Sequence, residues 1–128
     1  MKKTSMILCG MMLLASSAMA QVKVIAHRGH WNSQGAAQNS IAAMQNAKKA
    51  DVWGSEFDVH ITTDGTVVVN HDDDIHGIII ENAKYADIKN LKLANGEPIA
   101  TLKSYLEAGK KLAPMQLILE IKAHQTPE

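Results

Sequence analysis

Cysteine is nearly absent from this 128-residue chain: its one copy, Cys9, lies within the first twenty residues. A chain cleaved after Ala20 therefore has no disulfide to form in an oxidising compartment. Charge of one sign is also lacking, since 13 basic residues face 13 acidic ones. Loss of Lys2 and Lys3 lowers the basic count to 11 and leaves a slight acidic excess. Without a basic surplus, nucleic-acid binding has little support. No apolar run in the remainder approaches the roughly 20 residues needed to cross a bilayer. Internal repeats, low-complexity tracts and clear linkers are missing too, which makes a single domain the expectation.

What is present begins with a leader-like segment. Lys2 and Lys3 precede a short apolar run over residues 6–14, and Ala18-Met19-Ala20 supplies a small-x-small cleavage pattern. Residues 1–20 read as a secretory signal peptide, with Cys9 incidental within it, so the expected product is secreted or periplasmic.

The remainder is arranged around residues 53–72. The stretch begins at Trp53 as a strand, turns at Thr63-Asp64-Gly65, and returns as a β-branched run from Thr66 to Val69. Glu56 and Asp58 are two positions apart, so their carboxylates share one face of the strand while Phe57 points the other way, toward a core. Two adjacent acids on an apolar strand repel each other and lose solvation, and a cation is the simplest compensation. His71-Asp72 follows where the return strand ends.

Upstream, residues 22–26 form an apolar strand ending in His27-Arg28-Gly29, followed by a loop over residues 30–38. Asn39 or Ser40 caps a helix whose apolar face carries Ile41, Met44, Ala47 and Ala50. Downstream, residues 75–80 read as a short extended piece, and Asp87 as the cap of a brief helix. Thr101 caps a further helix, with Leu102, Tyr105 and Leu106 on its core side. Residues 116–121 form a last strand that puts Glu120 and Lys122 on one face. Trp53 is expected as a buried strand residue. His30, His60, His76 and His124 are expected to be structural. Asp72 to Asp74 read as a solvated loop, with Asp72 placed to orient His71.

Strands alternating with helices imply parallel βα units, which gather functional residues at the strand C-terminal ends. His27-Arg28, Glu56/Asp58 and Glu120/Lys122 all lie late on, or just past, their strands. Three carboxylates in a chain otherwise free of thiolates make a hard oxygen donor set for Ca²⁺ or Mg²⁺. Arg28 offers a planar fork matched to phosphate oxygens, and Lys122 a point charge. His27 and His71 can move protons near neutral pH. A metal, an arginine and two imidazoles describe phosphodiester cleavage.

His27-Arg28-Gly29, Glu56-Phe57-Asp58-Val59, Thr63-Asp64-Gly65, Val68-Val69-Asn70-His71-Asp72 and Glu120-Ile121-Lys122 together resemble, in order and spacing, the glycerophosphodiester phosphodiesterases. The resemblance implies a TIM (β/α)8 barrel that hydrolyses glycerophosphodiesters to glycerol 3-phosphate and an alcohol. It implies one divalent cation on Glu56, Asp58 and Glu120, acid and base roles for His27 and His71, and phosphate contacts from Arg28 and Lys122. Where the family usually has Pro-Glu-Asn-Thr, this chain has Ala37-Gln38-Asn39-Ser40. The 108 residues after Ala20 are about half of a typical barrel of about 250, so residues 21–128 are expected to be its N-terminal part. An inactive cation-binding half barrel is one alternative. Related barrel phosphodiesterases that cleave phosphatidylinositol or sphingomyelin are another.

Overall fold

A computed structural model describes residues 21–124, so the leader expected over residues 1–20 lies outside the described residues. Its centre is β2 (Gly54–Ile61), preceded by β1 (Ile25–Ala26) and α1 (Ile41–Lys49). After it come β3 (Val67–Val69), a small hairpin of β4 (Asp74–Ile75) and β5 (Ile78–Ile79), and the short α2 (Tyr85–Ile88). β6 (Ala100–Thr101), α3 (Leu102–Lys110) and β7 (Gln116–Ile121) complete the order. Among the described residues, no helix is long and apolar enough to cross a membrane.

Register explains why β2 is the organiser. Gly54 pairs with both Ile25 of β1 and Gln116 of β7, and Val59 pairs with both Ile121 of β7 and Val69 of β3. A strand residue has two edges. β7 therefore fills one edge of β2, while β1 and β3 follow each other along the other. β1 and β7 run parallel to β2, whereas β3 is antiparallel, so the exits of β1 and β3 face each other. That opposition delivers the residues after Ala26 and those after Val69 to one place.

The two faces of β2 have different work. Phe57 and Val59 point into a core with Met44 and Ala47 of α1 and Tyr105 of α3. The Phe57 and Tyr105 rings lie 4.6 Å apart and tilted, a favourable aromatic contact. Burial pushes the Tyr105 phenol well above its ordinary range. The opposite face carries Glu56, Asp58 and His60, all buried. A second cluster of Val68, Ile75, Ile80, Ile88 and Ile99 anchors the excursion between β3 and β6.

Local sequence accounts for the main elements. Ser40, not Asn39, caps α1, its hydroxyl accepting from Ala43 N. Glu97 adds a carboxylate that accepts from Ile41 N at 2.9 Å and Ala42 N at 3.1 Å, satisfying two further orphan donors at the positive helix end. Thr101 caps α3 as expected.

Several expectations are corrected. Only Ile25–Ala26 of the segment over residues 22–26 pairs as a strand, because β2 offers β1 only its first two positions. The turn at residues 63–65, by contrast, joins β2 to an antiparallel return strand as the sequence leads one to expect, and β3 pairs antiparallel with β6 as well. Residues 75–80 are not one extended piece; they turn at His76-Gly77, both with positive φ, and continue into a 3₁₀ turn. Asp87 does not cap α2 from in front; it sits inside the first turn and accepts from Lys84 N. Trp53 lies outside β2 and is 40% exposed, with Lys23 Nζ 4.5 Å above its ring. Leu106 is 37% exposed, on the outer side of the α3 face that buries Tyr105.

The β2–β3 turn contains a pH-sensitive support. Asp64 Oδ1 accepts from Thr62 Oγ1 at 2.5 Å and from Tyr85 N at 3.1 Å. Those bonds, Thr62's first, hold the carboxyl below its ordinary value of 3.8. A lowered pKa favours the folded turn only while Asp64 is ionised, so its contribution is present above that ordinary value and lost as pH falls through the lowered one. NMR of the Gly65 and Thr66 amides across an acid titration should show this loosening, and Asp64→Asn should remove the acid dependence.

Candidate active site

The site begins with a strained turn. Past β1, Arg28 has φ 57° and Gly29 φ 77°. A left-handed residue with a side chain is costly unless its surroundings enforce it. Here Arg28 N donates to Glu56 Oε2 at 2.8 Å, Asn39 N donates to Arg28 O at 3.0 Å, and Gly29 N to Ala26 O at 3.2 Å. Gly29 is required for space as well as for φ, because a Cβ there would sit 2.7 Å from Ala43 Cβ. The turn thus presses against α1 and aims Arg28 over β2.

Asp58 has no exposed surface. Asn39 clamps it twice: Nδ2 donates to Asp58 Oδ2 at 2.9 Å, and Asp58 N donates to Asn39 Oδ1 at 3.1 Å. Asn39 itself adopts φ 61°, which asparagine tolerates better than most residues. Lys122 Nζ stands 2.9 Å from Asp58 Oδ1 and 2.6 Å from Glu120 Oε1. Burial alone would raise the Asp58 carboxyl, but the Asn39 amide and the Lys122 ammonium outweigh it and hold the group below its ordinary value. The Glu120 carboxylate, then that of Asp58, raises Lys122 in turn.

β7 brings Glu120 directly beside Asp58 in the ladder. Glu56, Asp58 and Glu120 each offer an oxygen, all within 4.8 Å of one another. Among the described residues, Glu56 Oε1 is buried with no hydrogen-bond partner, and Asp58 Oδ1 is met only by the Lys122 ammonium. A buried carboxylate oxygen without a donor costs several kcal/mol in apolar surroundings, on the order of the penalty for an unpaired charge. An orphaned oxygen in an all-carboxylate set is what a hard divalent cation satisfies, so these residues fit one.

Arg28 Nη1 donates to Gln38 Oε1 at 2.6 Å, and Nη2 lies 2.6 Å from His71 Nε2. Gln38 occupies the position of the family's usual glutamate, and its amide oxygen supplies the acceptor. Because guanidinium only donates, His71 Nε2 must carry its lone pair, which leaves the ring proton on Nδ1. That nitrogen is 2.7 Å from Asp72 Oδ1, so Asp72 orients the ring. His27 stands beside Glu56, its Nε2 3.9 Å from Glu56 Oε2 and its side chain 67% exposed. A cavity of about 460 Å³ opens beside His71, between Trp31, Gln38, Asn39, Asp72 and Leu93.

The structure therefore draws together every residue singled out from the sequence: His27, Arg28, Glu56, Asp58, His71, Glu120 and Lys122. Lys122, for which the resemblance implies a phosphate contact, has its ammonium between Asp58 and Glu120. Sequence reading missed the clamp of Asn39 on Asp58 and the support of Arg28 by Gln38. The one available signal was that Asn39 immediately precedes the Ser40 cap, and it was read only as capping chemistry.

Replacing Asn39 by Leu would leave the Asp58 carboxylate and amide buried without these partners. The expected cost is about 3 kcal/mol, the upper range for an unsatisfied buried group, read as a lower midpoint in urea denaturation.

The Glycerophosphoryl diester phosphodiesterase family matches residues 27–128. A glycerophosphodiester phosphodiesterase from Parabacteroides distasonis superposes with TM-score 0.80 at 50% identity, over 81% of this chain and 44% of that one. A phosphodiesterase from Oleispira antarctica, solved with the product sn-glycerol-3-phosphate, superposes with TM-score 0.68 at 31% identity, over 79% and 44%. The Caldanaerobacter subterraneus glycerophosphodiester phosphodiesterase is 44% identical over 52 residues, 41% of this chain and 21% of its own length. The chain thus spans less than half the length of each of these relatives. They are TIM-barrel enzymes, and β1, β2 and β7 with their helices form part of that barrel. By the extent of the match and the likeness of its fold, this chain belongs to the glycerophosphoryl diester phosphodiesterase family.

Proposed function

We propose that the protein hydrolyses glycerophosphodiesters to glycerol 3-phosphate and an alcohol, using one divalent cation, Ca²⁺ or Mg²⁺. The observation that carries this reading is the convergence of Glu56, Asp58 and Glu120 within 4.8 Å, with His27 beside Glu56 and His71 against Arg28. The product bound to the Oleispira relative supports the same substrate class. Held by those three acids, the cation would stabilise negative charge on the phosphoryl oxygens.

The chain's own groups do the rest. Arg28 is fixed by Gln38 and takes the phosphate with its charged fork. His71, with its lone pair on Nε2 and its Nδ1 proton on Asp72, takes the proton of the glycerol 2-hydroxyl as that oxygen bonds to phosphorus. The bond to the alcohol breaks, and protonated His27 gives its proton to the departing alkoxide. Water then opens the cyclic phosphate with the two imidazoles in reversed roles. Lys122 helps to hold Asp58 charged and would offer a second positive group to the phosphate. The leader pattern over residues 1–20 supports export, to the periplasm or beyond.

Glycerol 3-phosphate release from glycerophosphocholine by the full-length protein tests this reading. Chelation with EDTA should abolish release and Ca²⁺ or Mg²⁺ should restore it. His27→Ala and His71→Ala should each lower kcat by about 100-fold or more. Full turnover in EDTA, or losses under about tenfold, would contradict the assigned chemistry.

A further inference from the structure

We infer that His60 is a positioning residue that fixes the His71-Asp72 pair relative to the acids on β2, an inference resting on the proposed role of His71. The β3 ladder ends at Val69, opposite Val59. One more backbone bond follows, from Asn70 N to Asp58 O at 3.1 Å. Beyond it the chain turns away from β2, and its carbonyls need other donors. Asn70 Nδ2 donates to Asp72 O at 2.7 Å and to Asp74 O at 3.1 Å, both within its own loop. His71 O is met instead by His60 Nε2 at 3.2 Å. A carbonyl only accepts, so His60 donates.

That bond differs from its neighbours in origin. His60 is buried and stands on β2, two positions past Asp58 and on the same face as Glu56 and Asp58. It therefore links the main chain of the acid–base residue to the strand that carries two of the three acids. The His71 ring has no comparably fixed partner. Asp72 is 75% exposed in its side chain, and Arg28 must turn its fork toward a phosphate. Geometry errors of about 1 Å at a reacting group cost up to about 100-fold in rate, which makes one anchoring bond consequential.

The test uses His60→Leu and His60→Gln in the full-length protein, with two independent readouts. Hydrogen exchange at the Asn70 amide, the last rung, should become about tenfold faster in the Leu variant, with the β2–β7 rungs unchanged. In turnover of glycerophosphocholine, kcat should fall about tenfold with KM within about twofold. Gln, which donates from a similar reach, should restore both to within about threefold of the unsubstituted protein. Unchanged Asn70 exchange in the Leu variant would overturn the inference. So would a Gln variant as impaired as Leu, or faster exchange throughout β2 and β7, which would mark general loosening. If the unsubstituted protein shows no turnover, the proposed function fails while exchange still decides the role of His60.

Discussion

Two carboxylates with almost no access to water, Glu56 and Asp58, sit side by side on the strand through which the whole sheet is organised. Burying acids in this way is unfavourable unless donors and positive charge are built around them. Most of the irregular features of the chain supply one or the other. The left-handed Arg28 presents a backbone N–H to Glu56, and Asn39 presents an amide to Asp58 from another left-handed position. β7 contributes Lys122 and, in the same stroke, a third acid. Among the described residues Glu56 Oε1 is left without a donor, at the point where all three acids meet.

The surrounding architecture serves that point. Antiparallel β3 looks out of place among parallel strands, yet its direction is what returns His71 toward the end of β1. A parallel strand there would carry the same residue away. Gly29 packed against Ala43 locks the β1 exit to the first turn of α1, whose capping Ser40 follows Asn39 directly. The support of Arg28, the clamp on Asp58 and the cap of α1 thus share a stretch of three residues, Gln38 to Ser40.

Much of this was legible in the sequence wherever the determinant was local. The Thr63-Asp64-Gly65 turn, the alternation of Glu56, Phe57 and Asp58, and the Ser40 and Thr101 caps depend on neighbours within a few positions, and pattern reading reaches that far. The motifs in register extended it to the family and to the acids, imidazoles and Arg28. Contacts between distant side chains were not legible. Asn39 meets Asp58 across 19 positions and Gln38 meets Arg28 across 10, and nothing in either residue's surroundings announces its partner. The contact of His60 Nε2 with His71 O, 11 positions away, is equally silent in the sequence, because a histidine on a strand gives no sign of which carbonyl it faces. Trp53 and Leu106 were placed inside because hydrophobicity says that a residue prefers burial, not whether the chain has a neighbour to bury it.

The central claim is that one divalent ion belongs among Glu56, Asp58 and Glu120. Diffraction from crystals of the full-length protein grown with Mn²⁺ as the probe, collected at the manganese absorption edge, addresses it most directly. One anomalous peak is expected within bonding distance of all three carboxylates, with the Lys122 ammonium moved off Asp58. No peak there, with Lys122 still bridging Asp58 and Glu120, would contradict it.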